Sequence, residues 1–178
     1  IDEPVNDWKN IKMDGKDLIE HFYSDNKKFG YLFQNFAYIT RLKNIYQAIT
    51  NPKYSVIITE RSMESDKYLF AKMLYERGSI NKLEWEAYNT WYNFFNIKMT
   101  YYIYVKTDID NCIKRIIKRN RKGEECIPKE YLQDLHNKHE EWLNPLKNIH
   151  IINGNLNIYN KDICDKICND IFVIISEI

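Results

Sequence analysis

The residues best suited to chemistry gather in two places. The first is Glu60-Arg61-Ser62-Met63-Glu64-Ser65-Asp66, which follows directly on the apolar run SVIIT at residues 55–59. If that run is a parallel strand, its C-terminal end is where open α/β sheets bind ligands. A carboxylate there can hold Mg²⁺ through water, and an adjacent arginine can steady a phosphate. The same residues also describe a helix start, with Ser62 as N-cap and Glu64 in the first turn. The second place holds Arg115, Arg119 and Arg121. The 26 basic residues divide into 20 lysines and only six arginines, so three arginines within seven residues are notable. Arginine grips a phosphate or a base edge with a planar fork that lysine lacks. Arg115 and Arg119 lie four apart and share a helix face. A solvated basic face near a helix C-terminus is the other reading of this cluster.

Three β-branched or aromatic runs can position such groups: residues 55–59, 101–105 (YYIYV) and 149–152 (IHII). Each is continuously apolar, the pattern of a parallel strand covered on both faces. Helical spacing is predicted between and after them, over 66–75, 83–95, 109–118, 129–143 and 163–175. Pro128 stands where the fourth of these helices begins. Strands alternating with helices imply βαβ units. With no repeat and no linker, 178 residues read as a single α/β domain over 1–178.

Charge and length exclude other classes. Twenty-six basic against 25 acidic residues leave a net charge of +1, which argues against a broadly basic nucleic-acid binder. No apolar run approaches the roughly 20 residues needed to cross a bilayer. No secretory signal is visible. The expectation is a soluble protein of the cytoplasm, with the mitochondrial matrix as the other compartment. Cys112, Cys126, Cys164 and Cys168 form no C-x-x-C pair, so they read as free thiols rather than zinc ligands.

Taken together, the motifs resemble those of the deoxynucleoside kinases. Glu3-Pro4-Val5 with Trp8 is similar to the family's E-P-V-x-x-W. Phe33-Gln34-Asn35-Phe36-Ala37 and Arg41 resemble its F-Q-x-x-A-x-x-x-R helix. Glu60-Arg61-Ser62 with Asp66-Lys67-Tyr68 resembles E-R-S-x-x-S-D-R-Y, and Glu84-Trp85 to Trp91 its E-W-x-x-Y-x-x-W helix. Arg119-Asn120-Arg121 with Glu124 resembles the R-x-R-x-x-E lid, here 115–128. Tyr131-Leu132, Leu135-His136 and His139-Glu140-Glu141-Trp142-Leu143 continue in register, so the likeness covers nearly the whole chain.

The resemblance implies a P-loop kinase-like parallel sheet flanked by helices, and ATP-dependent phosphorylation of the deoxynucleoside 5′-hydroxyl in nucleotide salvage. Glu3 would be the general base, and Arg61 would bind near the hydroxyl and the incoming phosphoryl group. Glu60 would help position Mg²⁺, and Arg115, Arg119 and Arg121 would close over the phosphates of ATP. Tyr23 and Glu124 would grip the sugar 3′-hydroxyl. Gln34 would read the base edge, with Trp8 and Phe36 lining the base pocket. Substrate choice would turn on Ala37, Arg41 and Asp66. An Arg–Asp pair favours purine deoxynucleosides or deoxycytidine over thymidine. A homodimer through residues 83–95 is also implied.

One family motif is missing. No G-x-x-x-x-G-K-[ST] occurs, and the family carries it on the turn after its first strand, in the middle of the sheet. That absence and the opening Ile1 lead to the expectation that the first strand and the P-loop lie outside these residues, which alone would be inactive. A catalytically inactive kinase-like scaffold is the alternative reading. A thymidylate-type nucleotide kinase is a further one, opposed by E-R-S-x-x-S-D and the Trp-rich helix.

Overall fold

Short polar side chains set several of the helix starts. The Asp17 carboxylate accepts the Glu20 N–H (2.8 Å) while Glu20 accepts the Asp17 N–H (2.9 Å), opening α2 (Leu18–Ser24). Asn81 and Glu84 make the same reciprocal box for α6 (Lys82–Phe95), and Ser62 and Ser65 for the short α4 (Met63–Ser65). Each box satisfies two N–H groups that a helix start leaves without partners. The computed structural model describes residues 1–121, 124 and 127–177.

In chain order, α1 (Val5–Asn10) leads into a minimal hairpin, β1 (Lys12–Met13) and β2 (Lys16–Asp17), then α2 and the long α3 (Asn26–Ile49). The hairpin turn is Asp14-Gly15, both with positive φ (51° and 75°), which an Asp-Gly pair accepts readily. After α4 come a π-helical segment (Asp66–Ala71), α5 (Lys72–Glu76) and α6. The strand β3 (Tyr102–Lys106), α7 (Ile109–Arg119), α8 (Lys129–Leu143), β4 (Ile149–Asn153) and α9 (Lys161–Glu177) complete the chain. β3 and β4 pair in parallel, from Tyr102 opposite Ile149 to Lys106 opposite Asn153, with α7 and α8 in the crossover. The fold is mixed α/β, with a small parallel sheet flanked by helices.

The run at 101–105 becomes β3, and that at 149–152 becomes β4. The run at 55–59 does not become a strand. Among the described residues its ladder-like contact is with Ile1: the Ile1 ammonium donates to Ile58 O (2.5 Å), and just past the run Glu60 N–H donates to Ile1 O (2.9 Å). Two hydrogen bonds to one residue make no ladder, and Val56 and Ile58 stay exposed. The helix expected over 66–75 is present, with its first six residues in π rather than α geometry. The four later helices stand within two residues of expectation.

Two apolar clusters meet along α3. Tyr38, Ile45, Met63, Ala71, Tyr88 and Tyr92 form one, and Trp8, Ile19 and Ala37 the other. The polar residues described below lie at the seam between them. At the end of β4, buried Gly154 donates to Lys106 O at 2.7 Å. A Cβ there would stand 2.0 Å from Thr107 Oγ1 and 2.9 Å from Lys106 O. Gly154→Ala is therefore expected to lower stability by roughly 1–3 kcal/mol, the usual cost of overpacking. Urea denaturation checks this, and an unchanged midpoint would contradict it.

Candidate active site

Helix α3 carries Gln34, Ala37 and Arg41 at i, i+3 and i+7, and so on one face. Arg41 is the hub. Its Nε donates to Asp66 Oδ2 at 2.8 Å, with both side chains 2% exposed. Nη1 donates to Glu60 O at 2.9 Å, and Nη2 reaches Glu3 Oε1 at 3.5 Å. Arg61 Nη1 stands 3.0 Å from the same Glu3 oxygen. One carboxylate thus bridges a buried and a half-exposed guanidinium. Burial opposes the Arg41 charge, but Asp66 and Glu3 more than offset it and hold the guanidinium above its ordinary value. Burial lifts the Asp66 carboxyl, and Arg41 opposes this only in part. Gln34 Nε2 donates to Asp66 O at 3.4 Å.

Local backbone geometry aims these groups. Asp66 opens the π-helical segment, and π turns often mark functional positions. Arg61 has φ +65°, a left-handed conformation that is costly for a residue with a Cβ and that clusters at working sites. Its guanidinium lies over the Phe70 ring, 4.3 Å from the centroid. Neither Phe70 nor Thr40 belongs to the motifs that mark the site in the sequence. Thr40 accepts the indole N–H of buried Trp8 at 3.0 Å and donates to Phe36 O. No signal in the sequence distinguished Thr40. Phe70 is also the fourth residue after Asp66, and a helix face offers that relation to any residue.

Trp8 packs edge-on against Phe33 (5.3 Å) in the cluster that holds Ala37, and Phe36 packs against that cluster. Glu60 contributes its backbone to the hub, while its carboxylate is exposed with no ion pair among the described residues. In the region read as a lid, Lys122, Gly123, Glu125 and Cys126 lie outside the described residues. Glu124 is buried and accepts from Arg119 Nε (3.1 Å) and Nη2 (2.5 Å) and from Arg121 Nη1 (3.3 Å). Arg115 is exposed, with no ion pair among the described residues. Tyr23 keeps 40% of its surface exposed, but partial desolvation of its hydroxyl, then the Glu124 carboxylate, push the phenol up to about 12. Tyr131 adds to that shift and Arg61 opposes it, so Tyr23, Glu124, Tyr131 and Arg61 feel one another's fields.

The structure therefore brings together Glu3, Gln34, Arg41, Arg61 and Asp66, and separately joins Glu124 to Arg119 and Arg121. Among the described residues no group of three or more His, Cys, Asp or Glu is placed so that it could hold a metal ion. Cys112, Cys164 and Cys168 are free thiols, and Cys126 lies outside the described residues. Among the described residues no helix is long and apolar enough to cross a membrane.

His139 on α8 stacks flat on Tyr104 (5.6 Å between centroids), with Nδ1 2.7 Å from Leu135 O. Burial lowers its pKa from the ordinary 6.5, and the Arg61 and His136 charges lower it further. A base whose folded pKa is depressed contributes stability that is complete above its unfolded value and is lost as pH falls below it. Unfolding free energy is expected to drop below about pH 6.5, and the drop should be shallower in His139→Gln. Urea melts across that range test this, and parallel profiles for the two proteins would contradict it.

Comparison with known proteins adds an independent line. A model of the deoxynucleoside kinase family matches residues 1–175. A probable deoxycytidine kinase of Fowlpox virus (strain NVSL) is 38% identical over 147 residues, covering 80% of this chain and 60% of the relative. Deoxycytidine kinase 2 of Gallus gallus is 35% identical, covering 80% and 63%. Mitochondrial deoxyguanosine kinase of Xenopus laevis is 33% identical, covering 79% and 61%. The chain thus spans less than two thirds of the length of these relatives.

Proposed function

The chain belongs to the deoxynucleoside kinase family, and on that premise we propose that it transfers the γ-phosphoryl group of ATP to the 5′-hydroxyl of a deoxynucleoside. The substrates are deoxycytidine or a purine deoxynucleoside in preference to thymidine, and the role is nucleotide salvage in the cytoplasm or mitochondrial matrix. The observation that carries this reading is Glu3, a carboxylate held by Arg61 at 3.0 Å and Arg41 at 3.5 Å directly above the buried Arg41–Asp66 pair.

Glu3 accepts the proton of the 5′-hydroxyl as that oxygen attacks, which requires only that it sit within hydrogen-bond reach. Arg61, preset by its backbone and by Phe70, stabilises the negative charge that spreads over the transferring group. Tyr23 and Glu124 grip the sugar 3′-hydroxyl, while Trp8, Phe36 and Ala37 shape the base pocket. Gln34 and the Arg41–Asp66 pair read the base edge. A base lacking the matching polar groups leaves a buried charge poorly partnered, so it is rejected.

The cationic side chains present fit a triphosphate. Arg115 has no ion pair among the described residues, and Arg119 and Arg121 stand near it on Glu124. Glu60 offers one exposed carboxylate, which fits an ion that keeps most of its waters and leans on phosphate oxygens. Glu60 would help hold Mg²⁺, which would supply positive charge against the phosphates. The apolar side chains left exposed on α3 (Leu32, Ile39, Tyr46) and on α6 (Leu83, Trp91, Phe94) suit a homodimer interface.

Arg61→Lys keeps the charge but loses the planar fork, and kcat is expected to fall about 10²–10³-fold. Steady-state kinetics check this, and a change under threefold would contradict it. The base preference is tested by offering the protein, expressed from its complete reading frame, all four deoxynucleosides with ATP. Faster turnover of deoxycytidine, deoxyadenosine or deoxyguanosine than of thymidine is expected. Thymidine as the best substrate would overturn the assignment of Arg41 and Asp66. A folded protein with no turnover would favour a kinase-like scaffold.

A further inference from the structure

Helix α9 carries Cys164 and Cys168 four residues apart, so the two thiols share one face. Ile163, Ile167 and Ile171 form its half-buried stripe, while Asp165, Lys166 and Asn169 are exposed. The thiols flank that stripe, Cys164 half-buried and Cys168 exposed, and both are free. Contact with Cys168, then its charge, push the Cys164 thiol above its ordinary range. The two sulfurs therefore stand within each other's electrostatic reach.

Helix geometry decides what such a pair can hold. Cβ atoms four residues apart on a helix stand about 5–6 Å from each other. A disulfide needs them at about 3.5–4.5 Å, so the helix opposes a direct S–S bond. A single soft atom between the two sulfurs demands no such approach. No third His, Cys, Asp or Glu among the described residues joins the pair as a metal ligand. A structural zinc ion, which takes four protein ligands, is poorly served by that. A trivalent arsenic that already carries one carbon substituent needs only two sulfurs.

We propose that Cys164 and Cys168 form a binding site for a trivalent organoarsenical, R–As=O, held across both sulfurs. Two S–H bonds break, two As–S bonds form, and the arsenic-bound oxygen leaves as water with both protons. Arsenic stays trivalent throughout, so no oxidant or reductant is required. Cys112, on α7, donates from Sγ to Thr107 O at 3.8 Å and has no second thiol beside it among the described residues.

Phenylarsine oxide, added in equimolar amount to protein from the complete reading frame, tests the proposal by intact mass and peptide mapping. Trypsin cuts after Lys161 and Lys166, which separates Cys164 from Cys168. One arsenic is expected to hold the peptide 162–166 to the peptide that begins at Ile167, and ethanedithiol to release them. Half-labelling of Cys164→Ser or Cys168→Ser is expected to take at least about a hundredfold more reagent, the loss of a second tethered contact. Cys112→Ser is expected to label as the parent protein does. No adduct, an adduct confined to other peptides, or one undiminished in Cys164→Ser or Cys168→Ser would overturn the proposal. Should the serine variants fail to fold, the peptide map of the parent protein decides alone.

Discussion

Asp66→Ala is expected to lower the unfolding free energy by about 3–5 kcal/mol, the largest stability effect at the site. The cost comes less from the lost 2.8 Å contact than from what remains. Arg41 is 2% exposed and would keep its charge with only Glu3, 3.5 Å from Nη2, as a carboxylate partner. Arg41→Ala should cost as much for the converse reason, since Asp66 is equally buried. The double variant Arg41→Met with Asp66→Leu removes both charges and fills their volume, so most of the loss should return. What does not return is the Arg41 bond to Glu60 O, about 1 kcal/mol. Urea denaturation of the three variants measures this directly. A double variant as unstable as the sum of the two singles would show that the pair acts through packing rather than through charge.

Glu3→Gln is expected to reduce kcat by about 10²–10⁴-fold, the contribution of a positioned general base. The amide keeps the size of the side chain and can still accept a hydrogen bond from Arg61, so nucleoside binding should change little. That split between kcat and KM distinguishes a base from a binding group. Folding should be largely spared as well, because Glu3 belongs to neither apolar cluster and the amide can still accept from Arg41 and Arg61.

How much of this was legible in the sequence depended on how each residue is used. Helices α6 to α9 announce themselves because one face is apolar and the other polar. The long α3 does not: its inward face carries Gln34 and Arg41, and its outward face Leu32, Ile39 and Tyr46, so the usual contrast cancels. The run at 55–59 has strand composition, but a strand is a pairing relation, and among the described residues only Ile1 bonds ladder-like to Ile58 and to Glu60 just past the run. Ser62 reads correctly as a helix cap, whereas the π geometry that follows has no local signature. In the polar hub, Arg61 and Asp66 stand out by residue type and position, and Glu3, Gln34 and Arg41 through their likeness to the deoxynucleoside kinase motifs. The contacts of Arg61 with Phe70 and of Trp8 with Thr40 do not, because packing alone creates them.

The measurement that bears most directly on the central claim is transfer of labelled γ-phosphate from ATP to deoxycytidine. Protein from the complete reading frame would be assayed beside its Glu3→Gln variant, with the position of the product phosphate determined. The predicted result is the 5′-monophosphate from the parent protein, formed at least about a hundredfold more slowly by the variant at saturating substrate. A folded parent protein that makes no 5′-monophosphate, or a variant that makes it at the parent rate, would contradict the account.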